Sequence, residues 1–143
     1  MIEIEVVRQR KKFSIEVKNS LEHAGITTLF GPSGSGKSTL IELIAGLLKP
    51  DSGRIVVDGR VLFDHAARVD LRPEQRRLGL VFQDARLFPH LSVRANLVFG
   101  MRRQRPQDRR LAFDDVVDLL GIARLLTRRP SQLSGGERQR VAI

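Results

Sequence analysis

The sequence predicts an α/β fold followed by a helical stretch, and three observations carry that prediction. A β-branched, almost wholly apolar run from Ile26 to Phe30 leads straight into a glycine-rich turn and then into a helix with an apolar stripe. Short segments of alternating polarity flank that unit on both sides. Beyond Phe82 the alternation gives way to helical spacing as far as Ile143.

Taken in order, Ile2 to Val7 alternate as I-E-I-E-V-V and Phe13 to Val17 as F-S-I-E-V, two half-buried strands with "RQRKK" as a charged turn between them. I-T-T-L-F at 26–30 has the pattern of a strand buried on both faces of a parallel sheet. From Lys37 to Leu48 the apolar residues Leu40, Ile41, Ile44, Ala45 and Leu48 recur at helical spacing, and "KPDSG" stops the helix. "GRIVVDGRVLF" is a hairpin turning on Asp58 and Gly59. Leu78 to Phe82, "LGLVF", is a second buried strand. Ser92 caps a helix through Gly100, and Pro106 starts a longer one with Leu111, Val116, Val117, Leu119 and Leu120 on its apolar face and Gly121 at its end. Ser134 as N-cap and Glu137 three residues on form a capping box, with Gly135 and Gly136 leaving the backbone open to close approach.

A length of 143 residues allows one domain with a real core. With 41% hydrophobic and 29% charged residues the composition is that of a soluble globular chain. No apolar run approaches the ~20 residues that span a bilayer. "MIEIEVVRQR" puts acids where a secretory signal would carry positive charge, so the chain is expected in the cytosol unless a partner holds it at a membrane. Without cysteine there is no disulfide, thiolate metal site or cysteine nucleophile. The net charge of +9 comes from arginines dispersed along the chain, among them Arg72, Arg76, Arg77, Arg102, Arg103, Arg105, Arg109, Arg110, Arg128 and Arg129, the pattern of a solvated surface. No aromatic residues interleave with them as a stacking platform requires, so nucleic acid is not an expected partner.

"GPSGSGKS" fits G-x-x-x-x-G-K-[ST] from Gly31 to Ser38, between a strand and a helix as that motif requires. Gly31, Gly34 and Gly36 let successive N–H groups turn inward around an anion, with Pro32, Ser33 and Ser35 completing the loop. The helix N-terminus through Thr39 adds its positive dipole end. Lys37 then reaches the β- and γ-phosphates and Ser38 offers its hydroxyl to Mg²⁺. Gln83, at the end of the second buried strand, emerges where open α/β sheets bind ligands; it could touch a metal ion or an attacking water, or simply leave the strand as a polar residue.

Three segments in order, "GPSGSGKST", "VFQDARLFPHLSVRANL" and "LSGGERQRVAI", resemble the ATPase subunits of ABC transporters over essentially the whole chain. The first looks like their Walker A, Gln83 matches the Q-loop glutamine, and Leu133 to Gln139 is similar to the signature that defines the family. The resemblance implies ATP and Mg²⁺ as ligands, with Lys37 and Gln83 catalytic and Ser38 and Gln83 at the metal. It also implies that Ser134, Gly135 and Gly136 bind the γ-phosphate held by a second, head-to-tail copy. A P-loop core is then expected over 1–83, with an antiparallel β part and a parallel sheet, a helical subdomain over 84–133, and the start of the signature helix over 134–143. The finer resemblance, carried by Asp84, Ala85, Arg86, Leu87 and Phe88 after the Q-loop, is to importer ATPases for molybdate. Sulfate or other oxyanion importers, sugar importers, a stand-alone nucleotide-binding module, and an ABC ATPase acting in DNA repair or on ribosomes are the alternatives.

Two departures bear on the site. The family stacks adenine on an aromatic residue, commonly Tyr; this chain has no Tyr or Trp, and Phe13 lies in about the right place, either to stack or to sit in a strand core. The Walker B Asp, catalytic Glu, D-loop and switch His follow the signature in this family, and His23, His65 and His90 all precede Ser134. The chain is therefore expected to be the N-terminal part of a longer protein. Implied partners are permease subunits in the membrane, met through the junction Gln83 to Asn96 by way of Leu87, Phe88, Pro89 and Leu91, and indirectly a periplasmic binding protein. The implied location is the cytoplasmic face of the inner membrane, as a peripheral subunit.

Overall fold

Alternation drives the first half of the chain into an antiparallel sheet, described in a computed structural model covering residues 1–10, 13–22, 25–102 and 111–143. β1 (Ile2–Arg10) and β2 (Phe13–Leu21) pair with Ile2 opposite Leu21 and Arg10 opposite Phe13. The other edge of β1 pairs with β3 (Ser52–Val57), which hairpins through Asp58 and Gly59 into β4 (Arg60–Asp64). Both turn residues have positive φ, 49° and 75°, as a two-residue turn matched to strand twist requires. β5 (Val69–Asp70) closes the order β2-β1-β3-β4-β5, every pair antiparallel.

The alternating side chains of one face meet α1 (Lys37–Ala45). Leu40 and Leu43 pack with Ile4, Val6, Ile55, Leu62 and Phe63 into a buried cluster. α1 stops at Ala45 rather than Leu48, because Gly46 takes the left-handed conformation and its N–H, with those of Leu47 and Leu48, folds back on the last turn. α2 (Pro73–Arg76) is one short turn.

A second cluster of Val93, Val117, Ile122, Leu125, Leu133 and Val141 organises the rest of the chain. It is built from α3 (Val93–Met101), α4 (Phe113–Leu119), two 3₁₀ turns (Ala123–Leu125 and Pro130–Gln132) and α5 (Gly135–Ala142). Ser92 caps α3, its hydroxyl accepting from the Ala95 N–H at 3.2 Å. The chain divides into two compact units, Met1–Gly79 and Leu80–Ile143.

Several expectations are corrected. Ile26 to Phe30 and Leu78 to Phe82 form no ladder, so no parallel sheet exists among the described residues. Ile26 is 98% and Phe30 100% exposed. A strand of a parallel sheet is held only by neighbours on both edges and layers on both faces, and none of the five antiparallel strands lends it an edge. The start expected at Pro106 lies outside the described residues. α4 begins at Phe113 after Ala112, which turns Phe113, Val117 and Leu120 to the core and leaves Leu111 and Leu119, expected on the apolar face, exposed. Arg8 to Arg10, expected in the charged turn, extend β1 instead. Arg76 is no surface charge: it is 3% exposed.

Candidate functional site

The loop ahead of α1 is built so that its own polar groups face inward. The Ser35 N–H donates to the Pro32 carbonyl at 3.3 Å, closing a turn. Into that turn the Lys37 ammonium folds back, donating to the carbonyls of Gly31 at 2.8 Å and Pro32 at 2.7 Å and to Ser35 Oγ at 3.5 Å. Gly36 is the N-cap, in the left-handed region at φ 92°, and contributes no side-chain cap. The first N–H groups of α1 therefore have no side-chain acceptor at the N-cap and present a positive end to an incoming anion. Ser33, Gly34, Ser35 and Ser38 are exposed, and Lys37 is half-buried. Thr39 is turned into the protein, so its contribution to a ligand is its backbone N–H, and Pro32 has none to give.

Gly36 also fixes the neighbourhood of Phe13. A Cβ on Gly36 would come within 2.8 Å of Ile15 Cδ1 and 4.0 Å of Phe13 Cε2, so β2 lies directly against the loop. The Phe13 ring is 42% exposed and belongs to neither core cluster. Of its two readings, the one as a strand-core residue is set aside by that exposure.

The remaining candidates lie in the second unit. Gln83 is exposed and sits in a turn rather than at a strand end. The turn is tight: Ala85 donates to the Phe82 carbonyl and Arg86 to that of Asp84, with Ala85 and Arg86 both at positive φ. Arg86 stacks its guanidinium 3.7 Å over the Phe82 ring and reaches Asp84 at 3.4 Å. Downstream, the Asn96 side chain accepts from the Phe88 N–H at 2.8 Å and donates to the carbonyls of Phe88 and Ser92 at 3.2 and 3.0 Å, tying the loop to α3. Phe88 and Pro89 are exposed while Leu87 and Leu91 are half-buried, and Phe88 stacks on Phe99 with ring centroids 4.4 Å apart.

α5 opens with the expected capping box. Ser134 N–H donates to Glu137 Oε2 at 2.9 Å and the Glu137 N–H to Ser134 Oγ at 3.3 Å. Hydrogen bonds to the carboxylate from the Ser134 backbone N–H and side chain, with Arg128 and Arg124 nearby, hold the Glu137 carboxyl below its ordinary pKa. Leu133 is buried beneath, and Arg138 Nη1 clamps its carbonyl at 2.8 Å. No heavy atom lies within 4 Å of where a Cβ on Gly135 or Gly136 would stand, so this helix start is an open surface. The structure thus brings Phe13 to the cradle of Gly31 to Thr39 in one unit and carries Gln83, Ser134, Gly135 and Gly136 in the other.

For a metal, the exposed Ser38 hydroxyl in the first unit and the Gln83 amide in the second are each hard-oxygen donors of the kind that suits Mg²⁺ completed by phosphate and water. Among the described residues no three His, Asp or Glu side chains cluster as a metal site of their own. Sequence reasoning missed Asn96, which only its four-residue spacing from Ser92 could have flagged, and Arg76, which nothing local distinguishes from Arg77.

The model of the ABC transporter family matches residues 15–143, and the chain belongs to that family. Among its relatives, the molybdenum import ATP-binding protein ModC of Rhodospirillum rubrum is 57% identical over 143 residues, covering 100% of this chain and 38% of that protein. ModC of Paramagnetospirillum magneticum is 54% identical, with 100% and 39% covered. The chain thus spans about two-fifths of the curated relatives it matches. Among solved structures, the ATP-binding cassette MJ0796, a dimer in a post-hydrolysis state bound to ADP and Pi, superposes with a TM-score of 0.73 at 28% identity, covering 99% of this chain and 67% of that one.

Proposed function

We propose that this chain is the nucleotide-binding part of an ATPase subunit that energises a molybdate importer. The observation that carries the reading is the cradle itself: a helix start with no side-chain cap, behind a loop whose lysine is folded onto its own carbonyls. Mg·ATP is the ligand that suits it. Lys37 would exchange the Gly31 and Pro32 carbonyls for β- and γ-phosphate oxygens, the N–H groups of residues 33–39 would hold the phosphate chain, and Phe13 would stack on the adenine. Ser38 and Gln83 would hold Mg²⁺, which would supply charge neutralisation at the phosphates. Gln83 also orients the attacking water. Ser134, Gly135 and Gly136 would meet the γ-phosphate of a second, head-to-tail copy, for which their open surface leaves room. The dimeric MJ0796 cassette supports that assembly, and the molybdenum import relatives support the transported oxyanion over sulfate or sugar.

The same reading divides the chain into a P-loop core over 1–83, a helical subdomain over 84–133 and the start of the signature helix. It puts permease subunits at the exposed Phe88 and Pro89, a periplasmic binding protein beyond them, and the ATPase at the cytoplasmic face of the inner membrane. The test is Mg·ATP binding by calorimetry. Lys37→Ala removes a charge-assisted contact of roughly 1.5 to 3 kcal/mol, about tenfold to a hundredfold in affinity. Equal binding by wild type and variant would refute the cradle. ATPase activity of the full-length protein with its permease in vesicles, stimulated by molybdate and not by sulfate, tests the substrate.

A further inference from the structure

We infer that Arg76 is a positioning residue for the nucleotide cradle, acting through the far end of α1. The inference rests on the nucleotide-binding reading above. Arg76 is buried, and its guanidinium binds two separate pieces of chain: Nη1 donates to the carbonyls of Leu43 and Ile44 at 2.8 Å each, while Nε donates to the Leu71 carbonyl at 2.9 Å and Nη2 reaches Asp70 Oδ1 at 3.4 Å. Leu43 and Ile44 lie in the last turn of α1, whose first turn carries Lys37, Ser38 and Thr39. Gly46 admits the clamp, since a Cβ there would lie 2.5 Å from Arg76 Nε and 2.8 Å from Cζ.

A structural arginine at a helix end stabilises by charge and burial alone, but this geometry does more. Apolar packing of Leu40 and Leu43 on the sheet is non-directional and lets a helix slide or rock over its neighbours. A planar guanidinium that bonds two successive helix carbonyls through Nη1 and the Leu71 carbonyl through Nε is directional and removes that freedom. The nine residues of α1 make a lever of about 13 Å at 1.5 Å per residue. A tilt of about 5° at the clamped end moves the phosphate-binding end by about 1 Å, enough to cost up to about a hundredfold in a positioned reaction.

The test compares wild type, Arg76→Met and Arg76→Lys in the full-length protein. Mg·ATP affinity, steady-state turnover and melting midpoint are measured well below each variant's midpoint. Methionine fills the buried space without donors; lysine keeps the charge without the fork. The expected result is a loss of about tenfold or more in turnover and affinity for Arg76→Met in its folded state. Arg76→Lys should also fall below wild type, by less. If Arg76→Met does not fold, Arg76→Lys carries the test. A lowered midpoint with wild-type affinity and turnover in the folded variants would overturn the positioning role and leave Arg76 a structural residue. Failure of wild type itself to bind or hydrolyse ATP would sink the nucleotide reading instead, a separate result.

Discussion

The ring of Phe13 stands at the start of β2 beside Gly36, so its removal takes contact surface from the cradle's flank without opening either core cluster. Phe13→Ala is expected to weaken Mg·ATP binding by about twofold to tenfold, one lost aromatic stack of about 0.5 to 1.5 kcal/mol. Inorganic triphosphate, which has no base, should bind wild type and variant alike. Calorimetry with both ligands decides, and equal losses for the two would mean that Phe13 supports the loop and not the base. Gly36 tolerates such a change poorly, because at φ 92° any side chain is strained and its Cβ would also press on Ile15. Asp84 and Glu137 are the acids nearest the candidate residues in sequence, and each is engaged: Asp84 faces Arg86 and Glu137 closes its capping box. The Glu137 carboxylate is occupied at its own helix start, whereas the Asp84 pair with Arg86 is exposed and weak.

At the scale of elements, α5 separates stability from function. Its first turn is two glycines with open space around them, so Gly135→Ala should stabilise the helix by about 0.5 to 1 kcal/mol. The added methyl would at the same time hold a partner's phosphate away, and turnover in the full-length dimer should fall. A higher melting midpoint with unchanged turnover would remove these glycines from the site. The capping box adds a pH signature. Glu137 has a depressed folded pKa, so its contribution is complete above its unfolded value near 4.5 and is lost as pH falls through the lower folded value. Melting followed from pH 7 to pH 3 should show this acid loss in wild type and a smaller one in Glu137→Gln. Elements of this kind were legible in the sequence because their causes are local: the Ser134 box, the Ser92 cap, the turn at Asp58 and Gly59, and the stripe of α1 each rest on residues a few positions apart. Ile26 to Phe30 and Leu78 to Phe82 were misread because a parallel strand depends on distant neighbours, not on its own pattern. Arg76 was illegible for a related reason: its carbonyl acceptors Leu43 and Ile44 come from a helix far back in the sequence. Of the candidate site, the cradle could be read as a motif, while the approach of Phe13 to Gly36 is a tertiary fact.

Over the whole molecule, the exposed apolar runs bear on what residues 1–143 can do by themselves. Ile26, Leu29, Phe30, Leu78 and Val81 all face solvent, a surface that invites association. Lack of a positioned general base would lower hydrolysis by about 10²- to 10⁴-fold. Phosphate release by residues 1–143 is expected to be undetectable beside the full-length protein; comparable rates, abolished in both by Lys37→Ala, would contradict this. The division at Gly79 and Leu80 has a thermodynamic consequence of its own. Leu43, Ile55, Leu62 and Phe63 are sealed in one cluster and Val93, Ile122 and Leu125 in another, so each unit has its own reason to stay closed. Two such cores are expected to open with separate free energies. Amide hydrogen exchange should resolve them, and a nucleotide seated on α1 should slow exchange throughout the first unit.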